Sequence, residues 1–187
     1  MQLTSEQQRI VRSGAARLAV QAGAGAAKTT TLCAYAQARP ECRVLYVAFN
    51  KAIQLEAAAR MPANVSARTT HSLAYRKARD LFGDRAGERI GSTYPSTVSR
   101  AFGCTPLAAT AALQAIQKWC GSLEVELAAE HLPAEVASRL PDPAALVALA
   151  RAVWERMVDA NERELNLPHD GYLKLYQRDK PVLSGFD

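Results

Sequence analysis

The stretch Ala-Gly-Ala-Gly-Ala-Ala-Lys-Thr at positions 22–29 sets the tightest limit on the fold. It lies between a brief apolar run, Arg17 to Gln21, and a helix-prone segment from Lys28 to about Ala38. Small residues followed by a lysine and a hydroxyl, set between a strand and a helix, form the turn with which doubly wound α/β domains hold phosphate. Successive backbone N–H groups converge there on an anion. Lys28 reaches the outer oxygens of that anion, and the Thr29 hydroxyl stands where it can hold Mg²⁺ at a helix N-terminus. Ala22, Gly23, Ala24, Gly25, Ala26, Ala27, Lys28, Thr29 and Thr30 are therefore the candidate nucleotide-binding residues, with Lys28 and Thr29 acting on the phosphates and the metal.

The match to G-x-x-x-x-G-K-[ST] is incomplete, because Ala22 and Ala27 occupy the two glycine places. A glycine before the lysine allows a positive φ and a close approach of backbone to phosphate. A Cβ at Ala27 costs roughly 1 kcal/mol or more and crowds the ligand. The plainer reading of these residues alone is an Ala/Gly-rich strand-to-helix turn that binds nothing.

The flanking sequence supports an α/β domain. Leu3 to about Ser13 reads as a short helix, and Thr4 followed by Gln7 matches a capping box. Pro40 stops the helix after the loop, and Val44 to Phe49 is an unbroken apolar run, as expected of a strand covered on both faces in a parallel sheet. Lys51 to Arg60 is Ala-rich and helical, Pro62 and Asn64 break it, and Val65 to Thr70 reads as a third strand after the one at 17–21.

Beyond about Arg76 the strand signals give way to helices separated by Gly and Pro. Ser-Thr-Tyr-Pro-Ser near position 95 is one break. Thr105 and Pro106 open a helix with Leu113, Ile116 and Cys120 on one stripe. Asp142 and Pro143 open another with Leu146, Leu149, Val153 and Met157. From Leu165 the chain turns irregular and reads as a return towards the first domain. The implied organisation is an α/β lobe over 1–78, a helical insertion over 79–164 and a return segment over 165–187.

At 187 residues the chain is too short for two full NTPase lobes. Its net charge of +5 is compatible with a polyanionic partner but does not require one. Cys33, Cys42, Cys104 and Cys120 form no C-x-x-C pair, which points to free, reduced thiols. No basic-then-apolar leader opens the chain, and no run approaches the ~18 apolar residues of a membrane span. The expected location is cytoplasmic, with no membrane partner.

Taken together in order and spacing, several segments resemble the UvrD, Rep and PcrA group of superfamily I DNA helicases, and in detail the F-box DNA helicase branch. Leu3-Thr-Ser-Glu-Gln7 resembles the group's Q motif, which implies that Gln7 reads the adenine edge. Ala22 agrees with the loop usual in this group, whereas Ala26 and Ala27 depart from it. Val44-Leu-Tyr-Val-Ala-Phe-Asn-Lys51 resembles motif Ia, implying that Phe49 stacks on a base and that Asn50 and Lys51 touch phosphate or sugar. Asn64 to Tyr75 resembles the next motif, Thr-x-His-[Ser/Gly]-Leu-Ala, which places Thr69 and His71 beside single-stranded DNA. Leu167-Pro-His-Asp-Gly-Tyr-Leu-Lys-Leu-Tyr176 resembles a stretch typical of the F-box branch, with His169 and Asp170 otherwise readable as a local cap. Between about Leu81 and Glu162 only helical character agrees, where the group carries its variable 1B subdomain.

The resemblance implies a P-loop NTPase (RecA-like) fold with an incomplete parallel sheet and a 1B-type insertion, ATP and Mg²⁺ as cofactors, and single-stranded DNA as partner. It further implies that the Asp-Glu-x-x-Asp strand and the second lobe, needed for hydrolysis, belong to a missing C-terminal half encoded by the same gene or supplied in trans. Alone, the chain is then expected to bind without turning ATP over. Two other readings stay open: a non-catalytic nucleic-acid-binding or interaction remnant with a degenerate loop, and an unrelated small P-loop kinase or ATPase with the helices as a lid.

Overall fold

In a computed structural model, residues 2–137 and 142–187 are described; part of the helical segment read at 79–164 thus falls, at 138–141, outside the described residues. The chain divides into two compact units, one comprising the residues up to Thr70 together with Val182–Asp187, the other His71–Pro181. The edges of these units fall elsewhere than the boundaries read from sequence at 78/79 and 164/165.

The first unit is α/β. Helix α1 (Ser5–Arg12) starts at the expected capping box: Thr4 Oγ1 accepts from the Gln7 backbone at 3.3 Å, and Gln7 Oε1 accepts from the Thr4 backbone at 3.0 Å. Helix α2 (Lys28–Gln37) follows the small-residue loop. Strands β1 (Val44–Ala48) and β2 (Val65–Thr69) pair in parallel from Val44↔Val65 to Ala48↔Thr69, and α3 (Lys51–Arg60) crosses between them. The Gln54 amide donates to the Ala67 carbonyl at 3.0 Å, fastening α3 to β2.

Two sequence expectations need correction here. The run Arg17–Gln21 forms no ladder among the described residues, and its Leu18 and Val20 are each 49% exposed. A strand exists only where a neighbour takes up its N–H and C=O groups, and the described sheet has two members, β1 and β2. Strand β1 is also less covered than its apolar run suggests, since Val47 stays 44% exposed.

Side chains with several donors secure the connections. The Arg39 guanidinium lies 3.8 Å from the Tyr35 ring centroid and donates to the Val11 carbonyl at 2.9 Å and the Ser13 carbonyl at 2.8 Å, anchoring the end of α1 to the end of α2. The Asn64 amide donates to the carbonyls of Ala36, Arg39 and Cys42, closing the turn that leads into β1. Beside that strand, Arg43 and Asp187 exchange two hydrogen bonds, at 2.6 and 3.0 Å.

Helices make up the second unit: α4 (Thr70–Phe82, from His71 onward), α5 (Ala86–Arg89), α6 (Pro95–Phe102), α7 (Pro106–Cys120), α8 (Ala134–Ala137), α9 (Pro143–Val158) and α10 (His169–Arg178). The anticipated openings of α7 and α9 are present: Thr105 Oγ1 accepts from Ala108 N–H at 3.2 Å and Asp142 Oδ1 from Ala145 N–H at 3.0 Å, each followed by proline. On α7 the buried face is mostly alanine (Ala109, Ala112, Ala115, then Ile116 and Trp119). Small side chains let α9 come close, and Trp119 and Trp154 meet edge-on with centroids 4.9 Å apart.

Residues 165–167, the start of the segment read over 165–187 as a return towards the first domain, are stitched within the second unit, while Val182–Asp187 belong to the first. Leu167 N–H donates to Arg89 C=O at 2.9 Å, Gly91 N–H donates to Leu167 C=O at 3.0 Å, and the Thr93 hydroxyl bonds both polar backbone groups of Asn166. A Cβ on Gly171 would lie 2.6 Å from Leu167 Cδ1, and Leu167 is fully buried, so the His-Asp-Gly-Tyr segment requires glycine at that place. Buried Lys174 donates to the carbonyls of Ser122 at 3.1 Å and Glu124 at 2.6 Å. No helix among the described residues is long and apolar enough to cross a membrane.

Candidate nucleotide and nucleic-acid site

The loop before α2 turns through two left-handed residues. Gly25 has φ +76°, and Ala27, the residue directly before the lysine, has φ 53° and ψ 39°. Position 27 thus adopts the conformation for which glycine is the natural residue, and it does so with a Cβ. Its carbonyl is held twice, by the backbone N–H of Thr31 at 3.0 Å and by the Thr31 hydroxyl at 3.1 Å. An alanine in this region costs roughly 1–2 kcal/mol, against which glycine loses about 0.5–1 kcal/mol of chain entropy. Ala27→Gly is therefore expected to raise stability by about 0.5–1 kcal/mol, read as the shift of a urea-unfolding midpoint; a lower midpoint would contradict the assigned backbone strain.

Lys28, the first residue of α2, bends back across the loop, its Nζ donating to Gly23 C=O at 2.8 Å and to Ala22 C=O at 3.3 Å. No carboxylate among the described residues pairs with it. The three threonines that follow differ in their engagements. The Thr30 hydroxyl accepts from Arg60 at 3.2 Å, the Thr31 hydroxyl donates to Ala27, and that of Thr29 has no hydrogen bond among the described residues. Ala22, Gly23, Ala24, Gly25 and Ala26 are exposed.

A hollow of about 570 Å³ joins this loop to α1 and is lined by Gln7, Ile10, Gln21, Ala22, Gly23 and Lys28, among others. Gln7 thus faces the same space as the lysine 21 positions away, while its amide oxygen serves the α1 cap and its amide nitrogen remains the donor end. A second hollow, of about 290 Å³, is lined by Gly25–Thr30 and Arg60. Arg60 was not singled out from sequence, because the fold alone brings it across 30 residues to Thr30.

The candidate DNA residues of the first unit gather at one sheet edge. Thr69 ends β2 opposite Ala48, and Phe49, Asn50 and Lys51 follow Ala48 directly, so all four lie at the C-terminal ends of the two parallel strands. Phe49 is 86% exposed and so takes no part in the core. Asn50 caps α3, its Oδ1 accepting from Ile53 N–H at 2.9 Å. Exposed Lys51 begins that helix.

His71 belongs to the second unit, on the first turn of α4. Its Nε2 lies 3.0 Å from Asp170 Oδ1, and its ring meets Tyr172 edge-on at 5.8 Å and His169 at 6.4 Å. Asp170 consequently pairs with a histidine 99 positions away, and no side chain caps α10. Burial, with the nearby Tyr75 and Asp170, pushes the Tyr172 hydroxyl above its ordinary range and keeps it protonated. Neither Asp170 nor Tyr172 could have been paired with His71 from spacing.

No protein-family model matches the chain. No solved structure matches it either. Among curated proteins, F-box DNA helicase 1 of Gallus gallus is 31% identical over 206 aligned positions that take in all of this chain and 20% of that protein. F-box DNA helicase protein 1 of Schizosaccharomyces pombe is 47% identical over 76 positions, or 39% of this chain and 9% of that protein. The chain spans about a fifth of the chicken protein's length. Along its whole length, then, this chain is related to one portion of a DNA helicase.

Proposed function

We propose that the chain is the nucleotide- and single-strand-binding front portion of an ATP-dependent DNA helicase of the UvrD-like superfamily I type, with a P-loop NTPase lobe. The observation that carries this reading is the shared hollow in which Gln7 and the Ala22–Lys28 loop meet. Gln7 offers its amide to an adenine edge, the loop and Lys28 take the phosphates, and the unengaged Thr29 hydroxyl is a fitting ligand for Mg²⁺. When bound, the metal supplies charge neutralisation on the phosphates. Phe49, Asn50, Lys51, Thr69 and His71 are assigned to single-stranded DNA, stacking for the first and backbone contacts for the others. Hydrolysis is assigned to the helicase as a whole, since in-line phosphoryl transfer needs carboxylates for the metal and water, and a second cation for the developing charge. Those come from a C-terminal half of the same gene product or from one acting in trans.

A second reading, a nucleic-acid-binding remnant with a degenerate loop, is favoured by one observation, the Cβ of Ala27 in left-handed backbone. Calorimetric titration with MgATP, alongside anisotropy of a labelled single-stranded oligonucleotide at two salt concentrations, separates the two. The helicase reading expects MgATP binding that weakens at least about tenfold in Lys28→Ala, with salt-sensitive DNA binding retained. DNA binding without any nucleotide heat gives preference to the remnant, and absence of both ligands removes both readings.

A further inference from the structure

The loop borders two hollows, and their linings differ in chemistry. Gln7 lines the larger one, while Thr29 and Arg60 line the smaller, and Ala26 and Lys28 belong to both. A nucleotide with its base towards Gln7 therefore runs its phosphates across Lys28 into the space where Thr29 and Arg60 stand. The fold fixes this placement locally. The Arg60 backbone carbonyl accepts from the Cys33 thiol at 3.6 Å, and that thiol also lies 3.5 Å from Met61 sulfur, which holds the end of α3 against α2. The guanidinium then lies over the first turn of α2, donating to Thr30 Oγ1 at 3.2 Å.

Its other partner is Glu56, one turn earlier on α3, at 3.4 Å and largely exposed, a pair of the kind that holds weakly in water. Lys28 and Arg60 are the two cations lining this space. A guanidinium presents a planar fork that suits phosphate oxygens and stays charged at any relevant pH.

We propose that Arg60 is the residue that distinguishes a nucleoside triphosphate from its diphosphate at this loop, by engaging the terminal phosphate. The inference rests on the nucleotide reading above. It makes Arg60 a specificity residue, whereas a role confined to the end of α3 would affect folding and leave nucleotide preference alone.

The test is calorimetric titration of the full 187-residue chain with MgATP and with MgADP, for the wild type, Lys28→Ala, Arg60→Ala and Glu56→Gln. Arg60→Ala is expected to weaken MgATP about tenfold while MgADP changes less than about threefold, the difference of one charge-assisted contact. Equal losses for both nucleotides, or no loss for either, would overturn the proposal while a Lys28→Ala variant weakened at least about tenfold still upholds the site. If instead Lys28→Ala binds MgATP as the wild type does, or the wild type binds neither nucleotide, the nucleotide reading fails first and the inference falls with it. Should Arg60→Ala lose its helical circular dichroism, Glu56→Gln carries the test. Freeing the guanidinium is expected to raise the preference for MgATP over MgADP, and an unchanged or lower preference overturns the proposal.

Discussion

Replacing Arg89 with methionine is expected to destabilise the second unit by about 3–4 kcal/mol. Arg89 ends α5 and is 2% exposed. Its guanidinium donates to the carbonyl of Leu165, and to those of Met157 and Asp159 at 3.1 Å each, and stacks 4.8 Å from the Phe82 ring centroid. Met157 and Asp159 belong to the last turn and C-cap of α9, where carbonyls have no partner within the helix. A cation there also opposes the negative end of the helix dipole. Burial lowers the Arg89 pKa, with Glu162 working against that, and the group remains charged in either case. Methionine keeps the apolar stem and the volume but strands the carbonyls of Leu165 and Met157 away from water, while that of Asp159 keeps the Glu162 N–H at 3.2 Å. Urea unfolding followed by tryptophan fluorescence reads the effect through Trp119 and Trp154, both in this unit. A loss under about 1 kcal/mol would mean that the carbonyls find water or other donors when the guanidinium is gone.

The second expectation concerns acid. Glu162 is 8% exposed and folded around its own backbone: Oε2 accepts from Arg156 Nε at 2.6 Å, while Oε1 accepts from the N–H groups of Arg163 at 2.8 Å, Glu164 at 2.7 Å and Leu165 at 3.4 Å. Burial alone would push its pKa up, but the bonds from Arg156 and from the backbone of Glu164, Arg163 and Leu165 outweigh it and hold the group at about 2, from an ordinary 4.5. Because the folded value is the lower one, the carboxylate stabilises the fold fully above the ordinary value, and that stability is lost as pH falls from about 4.5 through about 2. The depression corresponds to an order of 3 kcal/mol, and Glu162→Gln is expected to cost about 2–3 kcal/mol at neutral pH, since the amide still accepts hydrogen bonds. The stability-versus-pH curve of the variant should flatten between pH 4.5 and 2 relative to the wild type. Parallel acid limbs for the two proteins would show that Glu162 does not carry this dependence.

Both residues illustrate which parts of the molecule can be read without coordinates. The capping box at Thr4 and Gln7, the proline-opened helices α7 and α9 and the strands at 44–48 and 65–69 were legible because each depends on neighbours within a few positions. The run at 17–21 misled because a strand is a relation between segments, and apolar composition says nothing of whether a partner is at hand. Arg60, Arg89, Glu162 and Asp170 stayed hidden as charged residues of no special spacing. Their roles come from groups 30, 76 and 99 positions away for Arg60, Arg89 and Asp170, and, for Glu162, from a turn whose closure only the fold supplies. At the loop, sequence identified which residues approach each other but left open whether Ala27 would bend. It does bend, with its Cβ in place.

That bend has a thermodynamic corollary. Thr31 clasps the Ala27 carbonyl from both its backbone and its side chain, so the curve of the loop is held by the chain itself, with no need of the proposed nucleotide. A mould already cast surrenders little configurational freedom on gripping its guest, and preorganisation of this sort favours tight association. Glycine at position 27 would relieve the strain and also loosen the mould, so any improvement in nucleotide affinity from that substitution should be smaller than the removal of a Cβ alone would give.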